Sequence, residues 1–313
     1  MTTRWTPEQV TAGASWVLYR STSMTVLIPE TVEEAVGALA ADPDATVLAG
    51  GTDLMVEVND GHRRPDGSVV VVNRIAELRS WRRHDTSVTI GAAVSYRELE
   101  EGPLAAMVPA LAQAARTVGS PQIRNAATLG GNLGTCSPAG DGLPVLAALD
   151  ATVELASVRG RRSLPVRDVM VGVKRTALEP DELIVSVTVP VVEGWQGYAK
   201  VGVRNAMVIA VASACVVLDQ RGRRGAIALG SVGPTVLRCP DAEGLLDTVV
   251  DWDTLRIDAE DAARVGDLAS SASRPITDHR STAAYRRHAV GVLVRRLVRR
   301  AEGERGRSET AAA

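Results

Sequence analysis

Apolar residues recur along this chain in two rhythms: short runs of about four to eight bounded by turn residues, and longer stretches at helical spacing. From Thr25, the run VLIPETVEEAVGALAADPDA predicts a short strand, a break at Pro29 and a helix ended by Asp42-Pro43. Thr31 and Glu34 have the spacing of a capping box, in which a hydroxyl and a carboxylate satisfy the first free amides. Residues 46–49 read as a strand that runs onto Gly50-Gly51, with a helical or extended segment over 53–58 and a buried strand over 69–72. This is a small α/β unit. Trp81 opens a second one, with a strand over 87–92, a short helix over 95–100 and one helix over 103–118. A short apolar helix over 144–149 and strands over 152–156 and 184–189 follow.

From Tyr198 the texture changes. Three successive strands are predicted over 199–203, 208–218 and 225–229, with charged turns, and then two helical stretches. The last, over 285–300, sets Val290, Leu293, Val294 and Leu297 against a basic face, which is either solvated or docked to an acidic partner. The division expected is an N-terminal extension or partner-contacting arm (1–22), a cofactor-binding domain (23–196, parting near 80), a C-terminal domain (197–303) and a frayed polar tail (304–313).

Between two apolar segments lies GSPQIRNAATLGGNLGTCSPAGDGLP, residues 119–144. As a connection it is long, and long structureless connections are usually functional. Its pair Gly130-Gly131 has a near twin in Gly50-Gly51 of VLAGGTDL, so two loops can face one ligand.

Composition narrows the class. The 313 residues are 45% apolar and 23% charged with a net charge of −2, a globular balance with no argument for nucleic acid or an anionic membrane. No Phe is present, so Val, Ala and Leu must fill the interior. Cys136, Cys215 and Cys239 lack CxxC or metal-ligand spacing, which fits a reducing compartment and no iron–sulfur or zinc site on this chain. The start, MTTRWTPEQV, has no apolar core of a signal peptide, and the run over 208–218 is about half of the roughly 20 residues a span needs. The expectation is a cytoplasmic protein without a membrane span.

Glycine pairs at strand ends accept positive φ and let amides approach a ligand, and successive amides form a nest for phosphate. Two nests suit a pyrophosphate. Thr52, Thr128 and Asn132 add donors, and Asp141 is an acceptor matched to a ribose diol. Neither GxGxxG nor a P-loop is present, so the pattern is a dinucleotide site of another kind, or else the glycines only make tight turns.

The run IRNAATLGGNLGTCSPAGDGLPVLAALDA, with VLAGGTDL, YAKVGVRNAMVIAVA, IALGSVGPTVLR and AAYRRHAVGVLVRRLV, closely resembles the flavin (medium) subunit of bacterial molybdenum hydroxylases. That family includes xanthine dehydrogenase and carbon monoxide dehydrogenase, and the resemblance covers residues 24–300. It implies an α+β fold: a two-part FAD domain of the vanillyl-alcohol-oxidase (PCMH) type, then a domain with a three-stranded sheet and helices. It implies FAD contacts from Val47, Leu48, Ala49, Gly50, Gly51, Thr52, Asp53 and Leu54 in the first loop. The second loop supplies Thr128, Leu129, Gly130, Gly131 and Asn132, with Asp141 nearby, Ile184 against the flavin ring and Lys200 at its polar edge. Val118 stands where some relatives are aromatic, and Cys136 where many carry a small residue. His62, His84, His279 and His288 fall outside the loops, so FAD is expected to be bound without a covalent link.

The resemblance further implies an electron-transfer subunit. Molybdopterin would sit on a large subunit and two [2Fe–2S] clusters on a small one, in a dimer of heterotrimers. The segments EVNDGHRRP and RNAMVIAV are most like xanthine dehydrogenase subunits, with NAD as acceptor; carbon monoxide dehydrogenase is the alternative. Two rival readings stay open: a stand-alone flavin oxidoreductase, for which Tyr198 and Glu182 are the available acid–base groups, and a flavin-free interaction module.

Overall fold

The computed structural model describes residues 25–312; the expected N-terminal arm lies outside the described residues. The first unit comprises β1 (Val26–Leu27), α1 (Val32–Ala41), β2 (Thr46–Leu48), α2 (Leu54–Asn59) and β3 (Val69–Val71). Its three strands pair in parallel in the order β1-β3-β2, which requires crossovers, and α1 provides the first. Thr31 Oγ1 accepts the Glu34 amide at 3.1 Å, whereas the Glu34 carboxylate accepts the amide of Glu30 rather than that of Thr31. The predicted box is thus half formed. Helix α1 buries Val32, Ala35, Val36 and Leu39, one face at helical spacing.

The second unit begins with β4 (Trp81–Arg83), β5 (Ser87–Gly91) and α3 (Tyr96–Glu100), the last held by a complete capping box from Ser95 and Glu98. The single helix expected over 103–118 is two helices, α4 (Gly102–Met107) and α5 (Pro109–Arg116). Pro109 divides them, because a residue before proline is driven out of the helical region, and Val108 has φ −131° and ψ 68°. The long connection of 119–144 is also corrected. It contains α6 (Pro121–Ala126), α7 (Leu129–Thr135) and the start of α8 (Gly142–Ala148). Ser120 and Thr128 cap the first two of these, and Ser137 to Gly140 make a turn closed at 2.9 Å.

Next come β6 (Thr152–Ser157), β7 (Gly160–Pro165), α9 (Val166–Val169), β8 (Met170–Gly172), β9 (Arg175–Thr176) and β10 (Leu183–Pro190). The main sheet, β4-β5-β10-β6-β7, is antiparallel with β10 at its centre.

The last part holds β11 (Gly194–Val201), β12 (Ala212–Asp219), β13 (Arg224–Gly230) and β14 (Leu237–Arg238), an antiparallel sheet of four strands rather than three. Three helices follow instead of two: α10 (Pro240–Val249), α11 (Ala259–Ala272) and α12 (Ala283–Ala312), and α12 runs on through the expected tail. Alternation along these strands splits the sheet between two cores. Trp195, Ala214, Val216, Ile227 and Leu229 pack with the C-terminal helices, while Tyr198, Cys215, Val217 and Ala228 join the core of the preceding units. Helices α11 and α12 cross at Gly266 and Gly291; a Cβ on Gly266 would meet the Gly291 carbonyl oxygen at 2.7 Å. Among the described residues no helix is long and apolar enough to cross a membrane.

Candidate cofactor cleft

A cleft of about 710 Å³ lies where the three parts meet. Both glycine loops line it. Of the residues expected at the site, Val47 to Leu54, Thr128, Gly130, Gly131, Asn132, Asp141 and Ile184 are on its wall. Leu129 and Lys200 are not: Leu129 is fully buried in the core, and Lys200 lies behind Asp141.

The two loops are joined back to back. A Cβ on Gly50 would stand 1.8 Å from the Ala126 carbonyl oxygen, so only glycine admits this approach, and Gly51 takes φ +70°. Asp53 Oδ2 accepts a hydrogen bond of 2.9 Å from Thr135 Oγ1, tying the start of α2 to the end of α7.

Their hydrogen-bonding states differ. In the second loop the Leu129 amide donates to Val94 O, Gly130 to Ala92 O, Gly131 to Thr128 Oγ1 and Asn132 to Thr128 O. Those four amides are satisfied within the protein, so this loop is not the open nest expected from its glycines. In the first loop the amides of Gly50, Gly51, Thr52 and Asp53 donate to no group among the described residues. Unpaired amides at a cleft wall are anion receptors. The second loop instead offers the Thr128 hydroxyl and the Asn132 carboxamide.

Two further polar atoms point to a missing partner. The phenolic oxygen of Tyr96 and the Oδ1 of Asn132 are buried without a hydrogen-bond partner, and both face the Cα of Gly142 beside the cleft. Burial drives the Tyr96 phenol far up, with the nearby Asp141 and Asp53 carboxylates adding to the effect and the Gly142 amide, too poorly aligned for a full hydrogen bond, only partly opposing it. Sequence reasoning missed Tyr96; a tyrosine at a core position of a chain without phenylalanine was the available signal. It also missed Ala92, Ile123, Met207 and Ile209, apolar wall residues that nothing in their local pattern marks.

Asp141 precedes α8 but does not cap it. Its carboxylate accepts from Lys200 Nζ at 2.6 Å, Tyr198 Oη at 2.7 Å and Thr117 Oγ1 at 3.5 Å. Burial pushes its pKa up, and Lys200 and Tyr198 pull it back. Glu182, at the mouth of β10, forms two hydrogen bonds of 2.5 and 2.7 Å with Arg162. The Arg162 hydrogen bond outweighs burial and holds the Glu182 carboxyl below its usual range. Neither Tyr198 nor Glu182 is therefore free for proton transfer. No histidine or cysteine lines the cleft among the described residues.

Open amides, a glycine-only approach and orphaned polar atoms on one cleft fit a diphosphate-linked dinucleotide with apolar ring contacts. Fold and cleft together define a dinucleotide-binding protein of the α+β kind. Residues 22–192 match the family described as FAD binding domain in molybdopterin dehydrogenase, and residues 198–301 match the CO dehydrogenase flavoprotein C-terminal domain. The chain is 31% identical over 286 residues to the 6-hydroxypseudooxynicotine dehydrogenase complex subunit alpha of Paenarthrobacter nicotinovorans, covering 89% of this chain and 94% of that one. It is 40% identical over 191 residues to the nicotinate dehydrogenase FAD-subunit of Eubacterium barkeri; that match covers 58% of this chain and 64% of the relative. Among solved structures, quinoline 2-oxidoreductase from Pseudomonas putida 86 superposes with a TM-score of 0.83 at 26% identity, covering 90% of this chain and 98% of that chain. Carbon monoxide dehydrogenase from Hydrogenophaga pseudoflava gives 0.82 at 30% identity, again over 90% and 98%. The chain belongs to the FAD-binding medium subunits of the molybdenum hydroxylase family.

Proposed function

We infer that this chain is the electron-delivering flavin subunit of a heteromeric molybdenum hydroxylase. It takes electrons from the [2Fe–2S] clusters of a small partner subunit, while a large molybdopterin subunit oxidises the substrate, and it passes them to NAD. The assembly proposed is a dimer of heterotrimers in the cytoplasm. FAD supplies the redox chemistry; this chain's residues bind it, orient it and exclude water. The open amides of Gly50 to Asp53 receive the pyrophosphate with the Thr128 hydroxyl and Asn132, Asp141 accepts from sugar hydroxyls, and Ile184 packs on the ring. That no histidine or cysteine lines the cleft among the described residues supports attachment without a covalent bond.

The observation that carries the relay reading is the pairing of the two available acid–base groups. With Glu182 locked on Arg162 and Tyr198 on Asp141, neither of the two groups that could have served as acid or base for a substrate of its own is free. For the branch, xanthine is the substrate we favour, in line with 30% identity over 288 residues to a putative xanthine dehydrogenase FAD-binding subunit of Escherichia coli. Carbon monoxide is the second reading, in line with 32% identity over 278 residues to the carbon monoxide dehydrogenase medium chain of Hydrogenophaga pseudoflava. Co-purifying the chain with its partner subunits and asking whether xanthine, carbon monoxide or a pyridine carboxylate reduces the flavin tests the choice. Oxidation of the reduced complex by NAD, compared with oxygen, tests the acceptor.

A further inference from the structure

Lys200 stands two residues beyond Tyr198 on β11, on the face of the sheet that meets α5 and α8. Its ammonium has three protons, and three acceptors are in place: Asp141 Oδ2 at 2.6 Å, the Thr117 carbonyl at 2.9 Å and the Val208 carbonyl at 3.1 Å. An ammonium has three donors and no acceptor, so none remains for a fourth partner. The side chain is 8% exposed and does not reach the cleft wall.

Its three acceptors belong to three separate pieces of that wall. Thr117 ends α5 and is followed by the lining residues Val118 and Gly119. Asp141 lines the cleft at the start of α8. Val208 sits between Met207 and Ile209 in the lining segment that leads into β12.

We propose that Lys200 is a positioning residue that fastens these three wall segments together and keeps Asp141 an ionised acceptor toward FAD, rather than a direct partner of the flavin ring. The proposal rests on the reading of the cleft as an FAD site. The other groups facing Asp141 are the Tyr198 phenol from β11, the Thr117 hydroxyl from α5 and, less closely, the Tyr96 phenol from α3, and none is a cation. Without Lys200, burial of Asp141 is opposed by hydrogen bonds alone, and the carboxyl takes up a proton at higher pH. The carboxylate accepts from FAD hydroxyls better than the protonated acid does, so FAD favours the ionised form. Affinity must then be low below the raised pKa and rise as pH rises through it.

The test uses the full-length chain, with FAD affinity measured by fluorescence titration over about pH 6 to 9. The wild type is expected to bind with little pH dependence. Lys200→Met is expected to bind at least about tenfold more weakly near pH 6, with affinity recovering as pH rises; adding Asp141→Asn removes that slope. Lys200→Arg, which keeps a cation beside Asp141, covers the case in which the Met variant does not fold: its affinity is weaker but pH-flat.

The second readout is the midpoint potential of the bound flavin. In Lys200→Met it should move by less than about 30 mV, a tenfold change for a two-electron couple. A larger downward shift with pH-flat affinity would mean that Lys200 touches the ring, and overturns the proposal. A wild-type chain that holds no FAD overturns the site reading as well, so the two failures are distinguishable.

Discussion

Thr135 Oγ1 donates to Asp53 Oδ2 at 2.9 Å across 82 positions of sequence, and this bond latches the two glycine loops over one cleft. It closes the cleft end at which the free amides of the first loop lie. Its loss should therefore show in cofactor retention before it shows in folding.

Thr135→Val is expected to weaken FAD binding about fivefold, the equivalent of roughly 1 kcal/mol for one partly exposed hydrogen bond to a carboxylate. The thermal midpoint should hardly move. Equilibrium dialysis and a melting curve on the same sample check both halves.

The glycines are not equivalent. Gly50→Ala places a methyl 1.8 Å from the Ala126 oxygen, and Gly130→Ala places one 2.5 Å from the Ala92 Cβ, so both should force the loops apart and release FAD. Overpacking of this kind costs on the order of 1–3 kcal/mol of stability. Gly131→Ala meets only the Thr128 hydroxyl, at 3.0 Å, and should keep most of its flavin. Equal loss in all three variants, read as FAD per chain after gel filtration, contradicts this.

Tyr96→Phe separates cofactor binding from stability. A buried hydroxyl without a partner is a cost, so the variant should be as stable as wild type or more so in the absence of FAD, by up to about 1 kcal/mol. If the hydroxyl serves the cofactor, FAD affinity falls several-fold at the same time. Urea midpoints with and without FAD test the opposite signs.

Acid should act on the C-terminal part through Asp278. Burial opposes ionisation there, but the Arg280 amide, the Arg286 guanidinium and the Ser281 amide outweigh it and hold the carboxyl at about 2. A depressed folded pKa contributes stability that is present above the unfolded value, near 4, and is lost as pH falls toward 2. Asp278→Asn should be less stable at neutral pH and show a flatter decline over that window, followed by urea unfolding at stepped pH.

Much of this was legible from residue pattern. The two loops, their order and most strands were marked by glycine pairs and by apolar runs bounded by turn residues. The helices inside 119–144 were hidden because glycine and proline dominate there, and only Ser120 and Thr128, as caps, betray them. Strand β7 reads GRRSLP and is exposed along most of its length, so it lacks the alternation that identifies a strand. Which loop keeps free amides depends on the carbonyls of Ala92 and Val94, distant in sequence, and no local pattern encodes that. The position of Lys200 behind Asp141 likewise follows from how β11 lies on α5 while α8 lies on β12 and β13.

The central claim is that this chain relays electrons and oxidises nothing itself. Its most direct test is anaerobic absorbance of the FAD-loaded chain mixed with xanthine and other reduced substrates, first alone and then with the iron–sulfur and molybdopterin subunits added. The account predicts a flavin that stays oxidised alone and bleaches only in the assembled complex; bleaching of the isolated chain by any of these substrates would contradict it.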